Sequence, residues 1–211
     1  REVFQYFGEE ILSSHPALLQ EFLIKSSIFD IVDPDFMNDL VDIENTETML
    51  QESANKNLFI EARYAEQKGW EFRYHPLFRG FLQAKFKSGT EEEERSHLFL
   101  KAGSLYEQRG EFEQSIRCYL EAKTYDEATS LIKIVGMDLL NAGRKGDLSY
   151  LLEAFPKEMV QENPWLLFYV SMTKRFSETG KNISRLKDAL TFFEKQKDIS
   201  GQLLSLAFMI E

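Results

Sequence analysis

One segment alternates in the manner of a β-hairpin, and it limits the possible folds more than any other feature. Residues 58–64, LFIEARY, and residues 70–75, WEFRYH, flank a polar turn that contains Gly69. Two such runs around a glycine-containing turn predict antiparallel strands. A period of two sends the aromatic side chains of the second strand to one face: Trp70, Phe72 and Tyr74. Because strand signals stop after Gly89, we expect one small hairpin in an otherwise helical protein.

Helical patterns precede the hairpin. Residues 15–29, HPALLQEFLIKSSIF, carry apolar residues at spacings of three and four behind Pro16, which is typical of an amphipathic helix. Two shorter helices are predicted within residues 33–43 and 46–57, the second with Thr46 as its N-cap. The order of three or four helices followed by a hairpin predicts a winged-helix domain over residues 1–88.

The charge distribution argues against a winged helix that reads DNA. The third predicted helix carries Glu47, Glu52 and one Lys56, which is a poor complement to a major groove. The whole chain has a net charge of -10 and a pI of about 5.0. Nucleic-acid binding requires clustered basic residues, so we expect no direct nucleic-acid partner for this segment. A structural or regulatory winged helix is favoured.

Residues 89–211 show the pattern of paired helices. Small and large residues occur at tetratricopeptide-repeat spacing: Phe99, Gly103, Tyr106, Gly110, Phe112, Ser115, Tyr119 and Ala122. Gly103 and Ala122 permit close approach of two helices, and Tyr106 and Tyr119 fill the space between them. Two looser pairs follow, and LLSLAFMIE suggests a further turn that is cut short. The predicted fold class is therefore mainly α: a winged helix with a small hairpin, then a tetratricopeptide-like α-α superhelix.

Several classes of site and environment are disfavoured. Cys118 is the single cysteine, and the three histidines lack metal-ligand spacing, so we expect neither a disulfide framework nor a metal site. No apolar run approaches the roughly 18–20 residues of a membrane helix. These features fit a cytoplasmic protein that does not bind membranes.

Catalysis within this segment is not expected. The phosphate-loop motif Gly-x-x-x-x-Gly-Lys-Ser/Thr does not occur, and the pair Gly143 and Gly146 has neither its spacing nor a preceding strand. Cys118 lacks a sequence context for a catalytic dyad with His97. The abundant carboxylates fit solvated helix surfaces, so no catalytic residue is predicted.

Aromatic residues in the helical region allow two interpretations. Trp165, Phe168 and Tyr169 in NPWLLFYV could form a platform on which a ligand stacks. Helical spacing favours the alternative, in which they pack between helices. Packing in the core is likewise favoured for the aromatic residues around the hairpin and the helix after it.

The combination resembles a known family. The segments NLFIEARYAEQKGWEFRYHPLFRGFL, LYEQRGEFEQSIRCYLEAK and LLNAGRKGDLSYLLEAFPKEMVQENPWL resemble the middle of MalT-like, LuxR-type bacterial transcription regulators. That resemblance implies a signal-transduction ATPase with an upstream nucleotide-binding module that binds ATP or ADP, and a DNA-binding domain downstream. It also implies an effector, either a small molecule or a protein, bound by the repeats, and self-association on activation.

The resemblance gives His75 a candidate role. In related ATPase switches, a histidine in a comparable winged-helix position contacts bound ADP and helps to hold the closed state. His75 directly precedes Pro76 and a predicted helix N-terminus, where an anion is favoured. The alternative is a local hydrogen bond at the strand-to-helix junction. For Arg73 and Arg79, surface ion pairs are favoured over phosphate contacts.

Two other functions stay open. One is a protein-binding scaffold in which the repeats capture a partner and no nucleotide switch exists. The other is a DNA-binding winged helix with an oligomerising tail, which the acidic composition disfavours.

Overall fold

The computed structural model describes residues 2–56, 58–66, 69–175 and 179–210, without the side chains of residues 2–7, 179–181 and 210. The chain forms two compact units, Arg1–Lys101 and Ala102–Glu211. The predicted domain boundary between residues 88 and 89 stays a prediction.

The first unit opens with four helices. They are α1 (Glu2–Ser13), α2 (Ala17–Ser26), α3 (Pro34–Val41) and α4 (Thr46–Asn55). Asp33 caps α3 by accepting from the Phe36 amide at 3.1 Å, and Pro34 occupies the first turn, where a missing amide proton costs nothing. Asn45, in the left-handed conformation, precedes α4, so the cap predicted at Thr46 is wrong by one residue. The Thr46 hydroxyl is buried and donates to the Pro34 carbonyl at 2.8 Å instead.

The predicted hairpin is present. Strands β1 (Ile60–Ala65) and β2 (Gly69–Tyr74) pair antiparallel, from Ile60 opposite Tyr74 to Ala65 opposite Gly69. Residues 67 and 68 of the predicted turn lie outside the described residues. Val32 adds an isolated bridge on the other side of β2, exchanging two backbone hydrogen bonds with Phe72 at 2.8 and 3.0 Å. This bridge anchors β2 to the segment between α2 and α3.

Helix α5 (Pro76–Gly89) follows β2 directly and completes an aromatic core. The buried residues of β2 and α5 include Phe72, Tyr74, Phe78, Phe81, Leu82 and Phe86. This confirms the core interpretation for all the aromatic residues in this stretch except Trp70, which is only half-buried. Buried Tyr74 shares a 2.6 Å hydrogen bond with Ser26, tying β2 to the end of α2.

The remaining helices run in short succession. They are α6 (Glu92–Gln108), α7 (Phe112–Glu121), α8 (Tyr125–Asn141), α9 (Lys145–Glu153), α10 (Lys157–Glu162), α11 (Pro164–Lys174), α12 (Thr179–Gln196) and α13 (Ile199–Ile210). Left-handed Gly110 and Gly143 lie in the turns after α6 and α8, a backbone conformation that glycine adopts without steric cost. In the second unit α11 packs against α8, α9, α10 and α12, and α12 packs against α13.

Glycine and an aromatic ring meet repeatedly where helices of this unit cross. A Cβ added at Gly103 would lie 2.6 Å from Tyr119, one at Gly136 2.4 Å from Tyr169, and one at Gly201 2.3 Å from Phe193. Real Cβ atoms do not approach other atoms so closely, so only glycine lets each ring pack onto the neighbouring backbone. The close approach predicted at Gly103 and the space-filling role predicted for Tyr119 are confirmed, and two similar glycine–aromatic pairs lie further along the chain.

The fold class predicted from the sequence is confirmed: the protein is mainly α, with a winged helix and a small hairpin followed by helices. Among the described residues, no helix combines the length and apolar character needed to cross a membrane.

Candidate functional site

The junction between β2 and α5 is the first candidate site, and His75 forms it. Its backbone amide donates to the Phe59 carbonyl at 2.7 Å, which fixes the end of β2. Its ring Nδ1 lies 3.4 Å from the Leu77 amide, so the imidazole serves as the N-cap of its own helix. The side chain is exposed. The local hydrogen bond considered for His75 is therefore present, although its length makes it weak.

The geometry leaves His75 able to bind an anion. A neutral imidazole that accepts at Nδ1 carries its proton at Nε2, which is then the donor. The ring also lies at the N-terminus of a 14-residue helix, where backbone amides and the helix dipole favour negative charge. An exposed N–H donor beside a helix N-terminus is chemically suited to an anionic oxygen.

Phe59 lies beside His75, and the sequence pattern did not single it out. It was expected to continue β1, but its backbone is left-handed with φ of 54°, which is rare for a bulky residue. The ring is 42% exposed and lies 6.2 Å from the His75 ring and 6.0 Å from that of Phe78. This conformation aims the Phe59 carbonyl at the His75 amide, so the junction is held by strained backbone.

Arg79, one turn into α5, ties the junction to α2. It pairs with Asp30, and its Nε and Nη2 donate to the Ser27 and Ile28 carbonyls at 2.9 and 3.1 Å. These carbonyls lie just past the end of α2, where backbone acceptors lack helical partners. The surface ion pair predicted for Arg79 is confirmed. Its guanidinium also links α5 to the end of α2 through the two carbonyl hydrogen bonds.

Helix α4, the third helix of the predicted winged-helix order, shows no chemistry for reading DNA. It buries Thr46, Leu50 and Ser53 and carries Glu47 and Glu52, with no lysine or arginine between its bounds. Lys56, at the C-cap, lies 3.9 Å from Glu52 and offsets that charge in part, but the helix as a whole stays unfavourable for phosphate contact.

The aromatic cluster of α11 lies in the core. Trp165, Phe168 and Tyr169 are 8%, 0% and 0% exposed. The Trp165 ring meets Phe193 at 5.0 Å between centroids, and Lys133 lies over its face at 4.7 Å. Burial raises the pKa of Tyr169 to about 12, so its hydroxyl stays protonated. The contacts of all three residues are those of interhelical packing, and their rings offer no open stacking face.

Asp198 is a polar centre that sequence reasoning missed. Its Oδ2 accepts from Trp165 Nε1 at 2.9 Å and pairs with Lys133 at 3.1 Å, while its Oδ1 caps α13 through the Gly201 amide at 3.1 Å. Burial alone would raise the pKa of Asp198, but the bonds from Gly201, Lys133 and Trp165 outweigh it and lower the pKa. One carboxylate thus joins α8, α11 and α13.

Cys118 shows no sign of reactivity. It is buried, and burial with the nearby Glu121 raises the pKa of its thiol to about 12, so the nucleophilic thiolate is scarcely populated at neutral pH. Within the part of the chain that the structure describes, no three histidine, cysteine or acidic side chains are grouped to hold a metal ion.

Comparison with known proteins places these features in a family context. The family model of the MalT winged helix domain matches residues 8–96. The regulator AlkS of Pseudomonas putida is 27% identical over 192 residues, which cover 90% of this chain and 21% of AlkS. The regulator MalT of Klebsiella pneumoniae is 24% identical over 190 residues, covering 88% of this chain and 21% of MalT.

A relative of another kind shares the same segment. The serine/threonine-protein kinase PknK of Mycobacterium tuberculosis is 23% identical over 158 residues, or 75% of this chain and 14% of the kinase. The chain therefore spans about a fifth or less of the length of each of these relatives.

Proposed function

We propose, from the premise that this chain is a segment of a MalT-like transcriptional regulator, that it is the part which senses a signal and controls an ATP-dependent switch. In this proposal the winged helix holds a nucleotide-binding module in its closed, ADP-bound state. The helical repeats bind an effector, either a small molecule or a partner protein. Effector binding then releases the module to bind ATP and to self-associate.

The observation that carries the proposal is a MalT-type winged helix without DNA-reading chemistry. Helix α4 carries Glu47 and Glu52 and no arginine or lysine between its bounds, which disfavours DNA and supports a different binding partner for the domain. A similar segment occurs in transcriptional regulators and in a protein kinase. This supports a control function that does not depend on whether the whole protein is a regulator or a kinase.

His75 is the residue proposed to contact the nucleotide. Its Nε2–H and the N-terminus of α5 both favour an ADP phosphate, and the strained Phe59 carbonyl holds the junction in place. A contact to ADP that is lost in the ATP-bound state would stabilise the closed conformation selectively. A switch needs such a difference, because a ligand that binds both states equally shifts nothing.

The repeats are proposed to supply the sensing surface. Glycine–aromatic pairs at three helix crossings support a tetratricopeptide-like packing of the second unit. Helical repeats of this kind commonly bind ligands or peptides along an extended surface, and an effector that prefers the open state would bias the switch.

The test measures nucleotide retention in the full-length regulator that contains this segment. Purified wild type and His75→Ala are denatured, and released ADP is quantified per mole of protein. We expect close to stoichiometric ADP in the wild type and a large loss in His75→Ala. His97→Ala, which removes an exposed histidine on α6, is the matched control and should retain ADP. Wild-type ADP content in His75→Ala would contradict the role of His75.

A second candidate, a partner-binding scaffold, is favoured by the outer face of α13. Ile199, Leu203 and Leu206 are 61%, 64% and 46% exposed and recur at helical spacing. A full-length protein that purifies without nucleotide and fails to bind added ADP or ATP would favour this scaffold over the switch.

A further inference from the structure

Strand β1 has an open edge. In the described part of the chain β1 pairs with β2 alone, whereas β2 has the Val32 bridge on its other side. Residues 61–64 of β1 are exposed. An edge strand of this kind presents unpaired backbone N–H and C=O groups, to which a further strand can be added.

The position of Val32 shows which backbone groups of β1 face this edge. Phe72 exchanges two hydrogen bonds with Val32, so its N–H and C=O point away from β1. Ala62 lies opposite Phe72, and the two therefore form a non-hydrogen-bonded pair. The N–H and C=O of Ala62 must then point to the open edge, and those of Ile60 and Tyr64, two residues away on either side, do the same.

The residues between these positions direct their backbone groups to β2. The Phe59 carbonyl accepts from the His75 amide at 2.7 Å, and Glu61 and Arg63 follow Phe59 by two and four residues. The backbone groups of Glu61 and Arg63 are therefore used within the hairpin, while their side chains share one face of it. The open edge thus combines free backbone groups with one negative and one positive side chain.

The order of these two charges is self-complementary. When two copies of β1 run antiparallel with Ala62 opposite Ala62, Glu61 of each copy lies opposite Arg63 of the other. These are the non-hydrogen-bonded pairs of the new ladder, in which side chains come closest. Opposite charges directly across a ladder stabilise the pairing and like charges weaken it. Charges of one sign would protect the edge from pairing, but this arrangement does not.

The existing hairpin supports the same arrangement. Glu61 lies opposite Arg73 and Arg63 lies opposite Glu71, so the sign of the charge already alternates across β1 and β2. A second copy of β1 would continue this alternation as a third strand. On the other face the Tyr64 ring, which is 60% exposed, would be partly covered by the second copy.

We propose that β1 pairs antiparallel with β1 of a second copy of this chain, with Ala62 at the two-fold axis. The two hairpins then form one four-stranded sheet, in which both copies use the same surface. A second copy is the partner because the order of charges is complementary to itself. The inference deepens the self-association in the proposed function, on which it rests for its biological role.

Sedimentation velocity of the 211-residue chain, from micromolar to millimolar concentration, tests the pairing. We expect a reversible monomer–dimer equilibrium with a Kd on the order of 100 µM, because a short edge contact buries little area. Glu61→Arg and Arg63→Glu each place like charges opposite one another and should weaken association about tenfold or more. Glu44→Arg, the same change of charge at an exposed position of the first unit, should associate as wild type does.

A mixture of the two edge variants provides the sharpest test. Glu61→Arg has two positive charges at the edge and Arg63→Glu has two negative ones, so an equimolar mixture should associate about as strongly as wild type. Amide hydrogen exchange gives an internal control. The Ala62 amide should become protected as the protein concentration rises, whereas the Arg63 amide, which is bonded within the hairpin, should not change.

Two results would overturn the inference. One is a chain that stays monomeric at millimolar concentration, and the other is a Glu61→Arg variant that associates as strongly as wild type. Far-UV circular dichroism of each variant confirms that the helices are intact. Because ADP retention is measured separately in the full-length protein, a failure of strand pairing and a failure of the nucleotide switch give different results.

Discussion

Replacing Asp198 with alanine is expected to loosen the second unit at one point where three helices meet. The change removes the acceptor for Trp165 Nε1, the partner of Lys133 and the cap of α13. The Asp198 side chain is 19% exposed and that of Lys133 49%, so the ion pair lies near the surface, whereas Trp165 is buried.

The size of the effect follows from these environments. An indole N–H left without a partner in a buried position costs about 1–3 kcal/mol. Loss of an N-cap costs about 0.5–2 kcal/mol, and the partly exposed pair with Lys133 contributes at most about 1 kcal/mol. Because the three bonds share one carboxylate and are not additive, we expect Asp198→Ala to lower the free energy of unfolding by about 2–4 kcal/mol.

The assay uses Trp165 as its reporter. The protein contains two tryptophans, so a Trp70→Phe background leaves Trp165 as the single emitter. Urea unfolding followed by its fluorescence then reports the second unit, and the loss of the hydrogen bond to Asp198 should also shift the native emission. Asp188→Ala removes an exposed carboxylate in the middle of α12 and should change the free energy of unfolding by less than about 0.5 kcal/mol.

Asp198→Asn isolates the charge, because an amide can still accept hydrogen bonds. We expect a loss of about 1 kcal/mol at pH 7. The pKa of Asp198 is lowered in the folded state, so its charge stabilises the fold above about pH 4, the usual aspartate value, and that stabilisation disappears as pH falls through the folded pKa. The gap between wild type and Asp198→Asn should therefore narrow in acid. A gap independent of pH, or an Asp198→Ala variant as stable as Asp188→Ala, would refute this reasoning.

Two further substitutions test the packing. Gly136→Ala places a Cβ 2.4 Å from the buried Tyr169 ring and should lower the free energy of unfolding by about 1–3 kcal/mol in the same urea assay. The control is Gly146→Ala on α9, which has open space around it and should be neutral or slightly stabilising. Equal stability of the two variants would contradict the close approach of Gly136 to Tyr169. Arg79→Lys keeps the charge but loses the two guanidinium hydrogen bonds to the Ser27 and Ile28 carbonyls. Thermal unfolding followed by circular dichroism should therefore show a stability lower by about 1–2 kcal/mol, while the control Arg73→Lys, at an exposed position, should match wild type. Equal Tm values for the two variants would contradict the importance of these hydrogen bonds.

The sequence predicted the elements with strong periodicity. The hairpin, the helices around it and the approach of Tyr119 to Gly103 all follow from local patterns of apolar and small residues. Local patterns were insufficient at element ends. The hairpin pattern of residues 58–64 predicts a strand through Phe59, but the backbone of Phe59 is left-handed and its carbonyl accepts from the distant His75 amide. The bridge of Val32 to Phe72 joins residues 40 positions apart and has no local signal.

Of the two candidate sites, His75 could be predicted from local sequence and Asp198 could not. His75 is marked by its neighbours in sequence, since a strand end and a following proline locate a helix start. Asp198 has no such mark, because its partners Lys133 and Trp165 lie 65 and 33 residues away.

The hairpin fixes the position at which α5 begins. Strand β1 is largely exposed, whereas β2 is fixed by Val32 on one side and by buried Tyr74 against Ser26. The Phe59 carbonyl then holds the His75 amide where β2 ends and α5 begins. The exposed N-terminus of α5 is thus held in position by the anchored strand β2, by the Phe59 carbonyl and by the Arg79 guanidinium. Such fixation favours binding of an anion in a defined geometry, since little conformational entropy is then lost on binding.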